Sequence, residues 1–339
     1  MTKTRNTVLA GLGLLALLSL TLAAFGLPVL ESLRLIAEGA FGDKFGLART
    51  LVKSTPLLLA GLGVVVAWRA GMYNIGGEGQ FVFGGIGGAT LARFVGLAAG
   101  PWIWVGGLVA GVVGGAFYGA LAGWLSVRRG VNIVIGTILL NFVAIQVLSW
   151  AVSGPLQEAK RQLPLSDRLS NAAMLPRFDR QSDLHLGVIL AVVVAILVGV
   201  YLFRSVGGFR LRLVGSNPDV ARAARIPPGP IQIRAMALSG GLCGLAGVVE
   251  YLGVGGQLGT GFALGWGFLA IPVALVGGLT PMGTVLSSLF FGAVLAGSES
   301  LARFNASGSA IVLVIQAVSV VVLIGFQSIQ SRRPAEAGT

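Results

Sequence analysis

One stretch decides how this chain folds, GMYNIGGEGQFVFGG at residues 71–85, because it sets polar side chains among glycines between two long apolar segments. Glycine is a poor helix former, so we expect a helix to end here and a new one to begin. The stretch also contains a carboxylate, Glu78. Burying a charge in apolar surroundings is costly unless it is paired or hydrogen-bonded. Glu78 therefore needs a water-filled cavity, a partner or an interfacial position.

The composition is that of a polytopic membrane protein. Of the 339 residues, 55% are hydrophobic and only 11% are charged, far outside the range of soluble domains. The formal net charge of +12 does not indicate a nucleic-acid partner, since the Lys and Arg residues lie between apolar spans and act there as topology determinants. The single cysteine excludes an internal disulfide, and the single histidine excludes a His-rich metal site. We expect no metal and no cofactor.

About ten apolar segments are long enough to cross a hydrocarbon core of about 30 Å. They lie at residues 8–28, 54–69, 79–99, 102–126, 131–152, 185–203, 235–254, 264–280, 284–301 and 309–327. The first is interpreted as an uncleaved span, because its apolar run is longer than that of a usual signal peptide. The sequence thus predicts an all-α membrane protein with a single transmembrane domain, residues 1–330, and a cytoplasmic tail, residues 331–339.

The basic residues between spans indicate the orientation. With a cytoplasmic N-terminus and an even number of spans, the arginine-rich loop at 204–234 and the C-terminal tail lie in the cytoplasm. The loop at 153–183 also carries basic residues but lies outside, since long loops translocate with less regard to charge.

Two glycine patterns predict helix packing and a repeat. Glycines fall on every fourth position from Gly107 to Gly123, a stripe that lets helices approach closely in lipid. IGGEGQ at 75–80 and LGVGGQ at 252–257 share Gly-x-x-Gly-Gln. Their positions predict an inverted repeat of spans 2–5 and 7–10, an arrangement in which substrate sites form at broken helices near the midplane. The alternative is a chance resemblance in a chain with 53 glycines.

Several polar side chains lie within or beside the predicted spans. For one Asn or Gln alone, a hydrogen bond between helices explains its presence as well as a ligand contact does. At a predicted break in a helix, a contact with a ligand becomes the better explanation. The residues predicted to line a substrate path are Asn74, Glu78, Gln80, Asn132, Asn141 and Glu250.

The loop at 204–234 predicts a short helix. Asn217 is suited to cap it, Pro218 to its first position and Asp219 to the positive end of its dipole, and 227–230 (PPGP) ends it. Such a helix is either a solvated connector or a docking element for a soluble partner. The chain has no Gly-x-x-x-x-Gly-Lys-[Ser/Thr] motif, so energy from ATP would have to come from another polypeptide.

Five segments together resemble the permease subunits of binding-protein-dependent ABC importers. They are AGMYNIGGEGQ (70–80), GVNIVIGTILLNFVA (130–144), GSNPDVARAARI (215–226), AMALSGGLCGLAGVVEYLGV (235–254) and GWGFLAIPVALVGG (265–278). Within the simple-sugar, nucleoside and branched-chain amino acid group, the first two most resemble the nucleoside branch. Three positions depart from the family pattern. Arg225 stands where relatives often have glycine, 227–230 replaces a more polar continuation, and Leu269 stands where many relatives have aspartate.

The resemblance implies a type II ABC importer fold in the bacterial inner membrane and transport by alternating access. It implies several partners: ABC ATPase subunits, a second permease subunit that is a copy or a relative, an extracytoplasmic solute-binding protein and membrane lipid. The chain itself would not be an enzyme, and the solute would be a nucleoside first and a simple sugar second. The ATPase-coupling residues would be Gly215, Asn217, Pro218, Asp219, Ala221 and Ala224. The alternative is an ion-coupled secondary transporter, with Glu78 or Glu250 as its ion site.

Overall fold

The computed structural model describes residues 19–304 except 21, 25, 97–100, 180 and 263–264, together with residues 314 and 317. Within this part of the chain there are helices and isolated bridges but no strands. The helices, numbered here in chain order, are α1 (Val29–Phe41), α2 (Lys44–Arg69), α3 (Gly77–Val95), α4 (Pro101–Arg129), α5 (Ile133–Ser153), α6 (Gly187–Arg204), α7 (Val206–Ser216), α8 (Pro218–Ala223), α9 (Pro228–Glu250), α10 (Trp266–Val276) and α11 (Pro281–Phe304).

Six of the described helices are long and apolar enough to cross a membrane, which confirms the multi-pass prediction. They are α2, α4, α5, α6, α9 and α11. Helix α3 has 19 residues and begins within two residues of the predicted third span. The first predicted span, 8–28, lies mostly outside the described residues, and the tenth, 309–327, lies almost wholly outside them. The count of ten spans stays a prediction.

Two elements differ from the hydropathy pattern. Helix α10 has 11 residues, about 16 Å of helix, and is too short to cross about 30 Å of hydrocarbon alone, although 264–280 reads as a full span. Helix α1 was not predicted, because its charged residues break up the apolar run. Two of these residues, Arg34 and Glu38, form an ion pair of 2.6 Å one helical turn apart.

Contacts divide the chain into two compact units, residues 1–54 with 289–339 and residues 55–288. In the described part of the first unit, the Nζ of Lys53 lies 2.7 Å from the Oε1 of Glu299, so both charges are neutralised. The second unit contains α3 to α10. Every residue predicted to act in transport or coupling lies in this second unit.

Glycines bring α3, α4 and α9 into backbone contact. A β-carbon at Gly115 of α4 would overlap the Gly240 carbonyl oxygen of α9, and one at Gly84 of α3 would overlap the Gly244 carbonyl. Helices in lipid gain no hydrophobic stabilisation from each other, so close packing of this kind holds them together. The glycine stripe predicted from the sequence is confirmed as a helix-packing surface.

The two echoing glycine segments have different local structures. Residues 75–80 lead into the start of α3, whereas residues 252–257 follow α9 and form a π-turn that ends at Gly256 in the left-handed region, with a φ of 61°. Gln80 is buried, and the Nε2 of Gln257 donates to the Ser166 carbonyl oxygen at 2.8 Å. The inverted repeat stays a prediction.

Replacing Gly115 with alanine should lower the thermal unfolding midpoint of the purified protein. The added methyl group meets backbone rather than a flexible side chain, and overpacking of this kind costs about 1–3 kcal/mol. Gly199→Ala is the control, since the nearest atom to its new β-carbon would be Pro281 Cβ at 3.9 Å. Both variants gain the same helix propensity. Equal midpoints for the two variants would contradict the packing role.

Candidate functional site

The break between α2 and α3 is held by side chains of α5. The Oδ1 of Asn141 accepts from the Gly79 N–H at 2.8 Å, and its Nδ2 donates to the Ile75 carbonyl oxygen at 2.9 Å. The Oγ1 of Thr137 accepts from the Ile75 N–H at 3.2 Å. Backbone groups in a membrane-spanning bundle must find partners inside the protein. These two side chains supply partners that an unbroken helix would have provided itself.

A second set of hydrogen bonds ties the break to α9. Asn74 and Gln80 form a reciprocal amide pair, with Nδ2 to Oε1 at 2.9 Å and Nε2 to Oδ1 at 3.2 Å. The Asn74 Nδ2 also contacts the Ser239 Oγ at 2.9 Å, and its Oδ1 accepts from the Gly76 N–H at 2.8 Å. All three side chains are buried. The amide groups of Asn74 and Gln80 therefore face each other inside the bundle.

Glu78 joins the N-termini of two helices. Its carboxylate accepts from the Gly265 N–H at 2.8 Å and the Gly267 N–H at 2.7 Å, at the start of α10, and its own backbone lies in the first turn of α3. A negative charge is stabilised at a helix N-terminus. The residue is 1% exposed, and a β-carbon at Gly267 would overlap the Glu78 backbone nitrogen. Glu78 thus lies inside the bundle and is paired with backbone donors.

Two predicted path residues lie apart from this cluster. Asn132 is exposed and caps α5, its Oδ1 accepting from the Val134 N–H at 3.0 Å and the Ile135 N–H at 3.3 Å. Glu250 is half-buried at the end of α9, eleven residues or roughly 16 Å along the helix from Ser239. The structure brings together Asn74, Glu78, Gln80 and Asn141.

Sequence reasoning missed three contributors, namely Thr137, Ser239 and the backbone donors at the start of α10. Thr137 also donates to the Ile133 carbonyl oxygen of its own helix at 2.7 Å, an ordinary bond for a threonine in a membrane helix. Such a residue carries no distinguishing sequence signal. Ser239 stands alone among glycines and apolar residues, which was a weak signal that it needed a partner.

The predicted cytoplasmic helix is present as α8. The Asn217 Oδ1 accepts from the Asp219 N–H at 2.9 Å and the Val220 N–H at 3.1 Å, and Pro218 is the first helical residue. The helix ends in a Schellman motif, in which the Ile226 N–H donates to the carbonyl oxygen five residues earlier at 2.9 Å. It has six residues, about 1.7 turns, and ends at Ala223, before the predicted stop at 227–230.

The predicted coupling residues differ in where they lie. Asn217, Pro218, Asp219 and Ala224 are exposed, Ala221 is fully buried and Gly215 is half-buried. A β-carbon at Gly215 would overlap the Arg69 carbonyl oxygen, so this part of the loop touches the end of α2. The loop therefore rests directly on the segment that leads into the break.

The side chains present at the site limit the chemistry that it can perform. Among the described residues, no group of three or more His, Cys, Asp or Glu side chains is placed to hold a metal ion. What the cluster offers is amide and hydroxyl groups, which can exchange hydrogen bonds with a polar solute.

Comparisons with known proteins agree with the sequence resemblance. A family model described as branched-chain amino acid transport system / permease component matches residues 46–325. The chain is 33% identical to the glucose ABC transporter permease protein TsgB13 of Haloferax volcanii, over 94% of this chain and 86% of that protein. It is 30% identical to the guanosine ABC transporter permease protein NupP of Bacillus subtilis, over 88% and 87% respectively. It is 26% identical to the nucleoside ABC transporter permease protein NupB of Lactococcus lactis, over 84% and 80%.

Asn141→Ala should destabilise the protein more than Asn132→Ala. The first change leaves the buried Gly79 N–H and the half-buried Ile75 carbonyl without partners, and an unsatisfied buried group costs about 1–3 kcal/mol. The second removes an exposed helix cap, worth about 1 kcal/mol. Thermal unfolding in one detergent measures the difference, and an equal loss from the two variants would show that the break does not depend on Asn141.

Glu78→Gln should also lower the unfolding midpoint although it preserves the shape of the side chain. A glutamine can accept from only one of the two N–H groups, because its NH₂ group would face the other donor. The comparison variant is the reverse exchange, Gln80→Glu, which places a carboxylate opposite Asn74 and leaves the hydrogen bonds of Glu78 in place. If Glu78→Gln unfolds at the temperature of the unmodified protein, the carboxylate does not hold α10.

Proposed function

The chain belongs to the permease component family of branched-chain amino acid transport systems, and we propose that it forms half of the solute path of an ATP-driven importer in the bacterial inner membrane. The other half would come from a second permease subunit, a copy or a relative. ATPase subunits would bind on the cytoplasmic side and a solute-binding protein outside. The observation that carries this proposal is the contact between the loop that bears α8 and the end of α2, immediately before the break.

The exposed face of α8 would be the surface that contacts the ATPase. Val220 is 50% exposed there, between the exposed Asp219 and the exposed Arg222, which form an ion pair. A capped helix with a small apolar centre and a charged rim suits a groove on a soluble protein. The residue after Val220, Ala221, is fully buried and so lies on the side of α8 that packs against the rest of the protein. Closure of the ATPase dimer would therefore move α8 and its loop together.

The proposed route from this loop to the path is short. Gly215 contacts the backbone of Arg69 and Ala70 at the end of α2. The Arg69 Nε donates to the Leu279 carbonyl oxygen at 2.9 Å, just beyond α10. A displacement of the loop would thus act on both segments that flank the buried cluster. Two discrete arrangements of these segments would give alternating access.

The polar path would be lined by Asn74, Gln80 and Asn141, with Glu78 fixing the α10 wall. Asn132 and Glu250, which are also predicted to line the path, would lie towards its two ends. A permease that bound its solute tightly would not release it, so most selectivity would reside in the binding protein. The printed solutes of the relatives are glucose, guanosine and nucleosides. We rank a nucleoside first and a simple sugar second for this chain.

Uptake by proteoliposomes tests the proposal. Vesicles containing this chain, its partner permease and the ATPase, with the binding protein outside, should accumulate radiolabelled guanosine when ATP is enclosed, and glucose more slowly. Vesicles without the ATPase, under a proton or sodium gradient, are the control. Uptake by the chain alone that is driven by the gradient would establish the ion-coupled transporter instead.

Val220→Asp should lower both ATP-dependent uptake and co-purification of the ATPase by at least about tenfold, equivalent to about 1.4 kcal/mol. The unfolding midpoint should not change, because Val220 is half exposed. Leu163→Asp is the matched control, a 54% exposed aliphatic residue on the loop predicted to lie outside. Ala221→Asp, in contrast, should unfold the loop by burying a charge. Normal co-purification with Val220→Asp would remove α8 as the docking element.

A further inference from the structure

A cavity of about 610 Å³ lies beside α8, and three arginines face it. They are Arg210 on α7, Arg225 just after α8 and Arg234 on α9, while Tyr201 of α6 forms another wall. Leu211 and Ile231 contribute apolar surface. Among the described residues that line the cavity, none is acidic. The cavity is therefore concave, positively charged and partly apolar.

The three arginines are exposed side chains on the wall of the cavity. None of them donates a side-chain hydrogen bond or forms an ion pair within the described part of the chain. Other arginines nearby are engaged, since Arg222 pairs with an aspartate and Arg212 lies 5.0 Å from the ring centroid of Phe203. Like charges that share a cavity repel each other, and a bound anion removes that repulsion. Guanidinium groups bind phosphate through paired hydrogen bonds.

The backbone at Arg225 adds a second observation. Its φ of 58° lies in the left-handed region, at the position that ends a helix in a Schellman motif and where glycine is favoured. A side chain there costs about 1–2 kcal/mol relative to the right-handed conformation. The Arg225 side chain forms no hydrogen bond or ion pair within the described residues that would offset this cost, yet it lines the cavity. A ligand in the cavity would give the guanidinium its partner.

The surroundings of the cavity are those of a membrane surface. Tyr201 lies three residues before the end of the spanning helix α6. On α7, Val206 is 68% exposed and Phe209 is 53% exposed, next to Arg210. Exposed apolar residues beside basic ones are typical of helices that lie in the headgroup region. Basic pockets between membrane helices on the cytoplasmic side bind anionic headgroups.

We propose that this cavity binds a phosphate group, and that the group belongs to the headgroup of an anionic phospholipid in the cytoplasmic leaflet. The placement rests on the orientation in the proposed function, in which the loop at 204–234 is cytoplasmic. The headgroup would bridge α7, the end of α8 and the start of α9. It would hold the coupling loop at the membrane surface while leaving the exposed face of α8 open.

Retention of lipid by the purified permease tests the site. The protein in detergent is incubated with phosphatidylglycerol or with phosphatidylcholine, passed through gel filtration and analysed by native mass spectrometry. We expect phosphatidylglycerol to be retained, and at least about tenfold less of it by the double variant Arg225→Gly with Arg234→Gln. Arg225→Gly relieves the backbone conformation, so this change should not unfold the loop. Arg222→Gln removes one charge from the same loop outside the cavity and should retain lipid normally.

Competition identifies the source of the phosphate. If millimolar inorganic phosphate displaces the lipid, and also raises the unfolding midpoint of the lipid-free permease but not of the double variant, the site takes free phosphate as well. Equal retention by the unmodified protein and the double variant overturns the proposal. If lipid retention is unchanged but ATPase co-purification is lost, the arginines bind acidic groups of the partner. Because lipid is measured on the permease alone, the result does not depend on whether the chain transports a solute.

Discussion

The structure depends on one constraint: a backbone that leaves the helix inside an apolar bundle must find hydrogen-bond partners there, because lipid supplies none. Asn141 meets the constraint by accepting from one backbone group of the break and donating to another. The break can then exist within the bundle, and the side chains of Asn74 and Gln80 can face each other there. Without a donor and an acceptor on the same α5 side chain, residues 70–77 would gain most by continuing the helix.

Two kinds of interaction hold residues 55–288 together, and one kind can be rearranged more easily than the other. The contacts among α3, α4 and α9 are backbone against backbone at glycines, and close packing of this kind has little room to adjust. The break and the start of α10 are held instead by a few hydrogen bonds, each with a net value of about 0.5–1.5 kcal/mol. A switch between two states would break and re-form these hydrogen bonds while the backbone contacts at the glycines stayed in place. In such a switch α3, α4 and α9 would form the frame, and the short segments at its edge would move.

Most helices could be predicted from the sequence, but the hydrogen-bond partners of the polar residues could not. Apolar runs located α5 and α6 within about two residues, because membrane helices need uninterrupted hydrophobic sequence. The capped helix α8 followed from Asn217 and Pro218, since caps are local interactions. The partners of Glu78, however, are backbone N–H groups 187 and 189 residues away, and no side-chain pattern marks them. The cap role of Asn132 was likewise not predicted, because an exposed cap and a buried amide cannot be told apart in sequence.

The position of Glu78 also bears on how transport is driven. An ion-coupled carrier needs a carboxylate that gains and loses a cation in each cycle, and such a group must be able to exchange its partners. Both oxygens of Glu78 accept from backbone N–H groups at the start of α10, so a cation bound at this carboxylate would have to compete with two hydrogen-bond donors. The same charge is stabilised by two helix N-termini, and neutralising it would forfeit both interactions. Glu78 is therefore suited to fix the start of α10 through these two hydrogen bonds. Under the proposed function, the energy for the switch would instead enter at the loop that touches the end of α2.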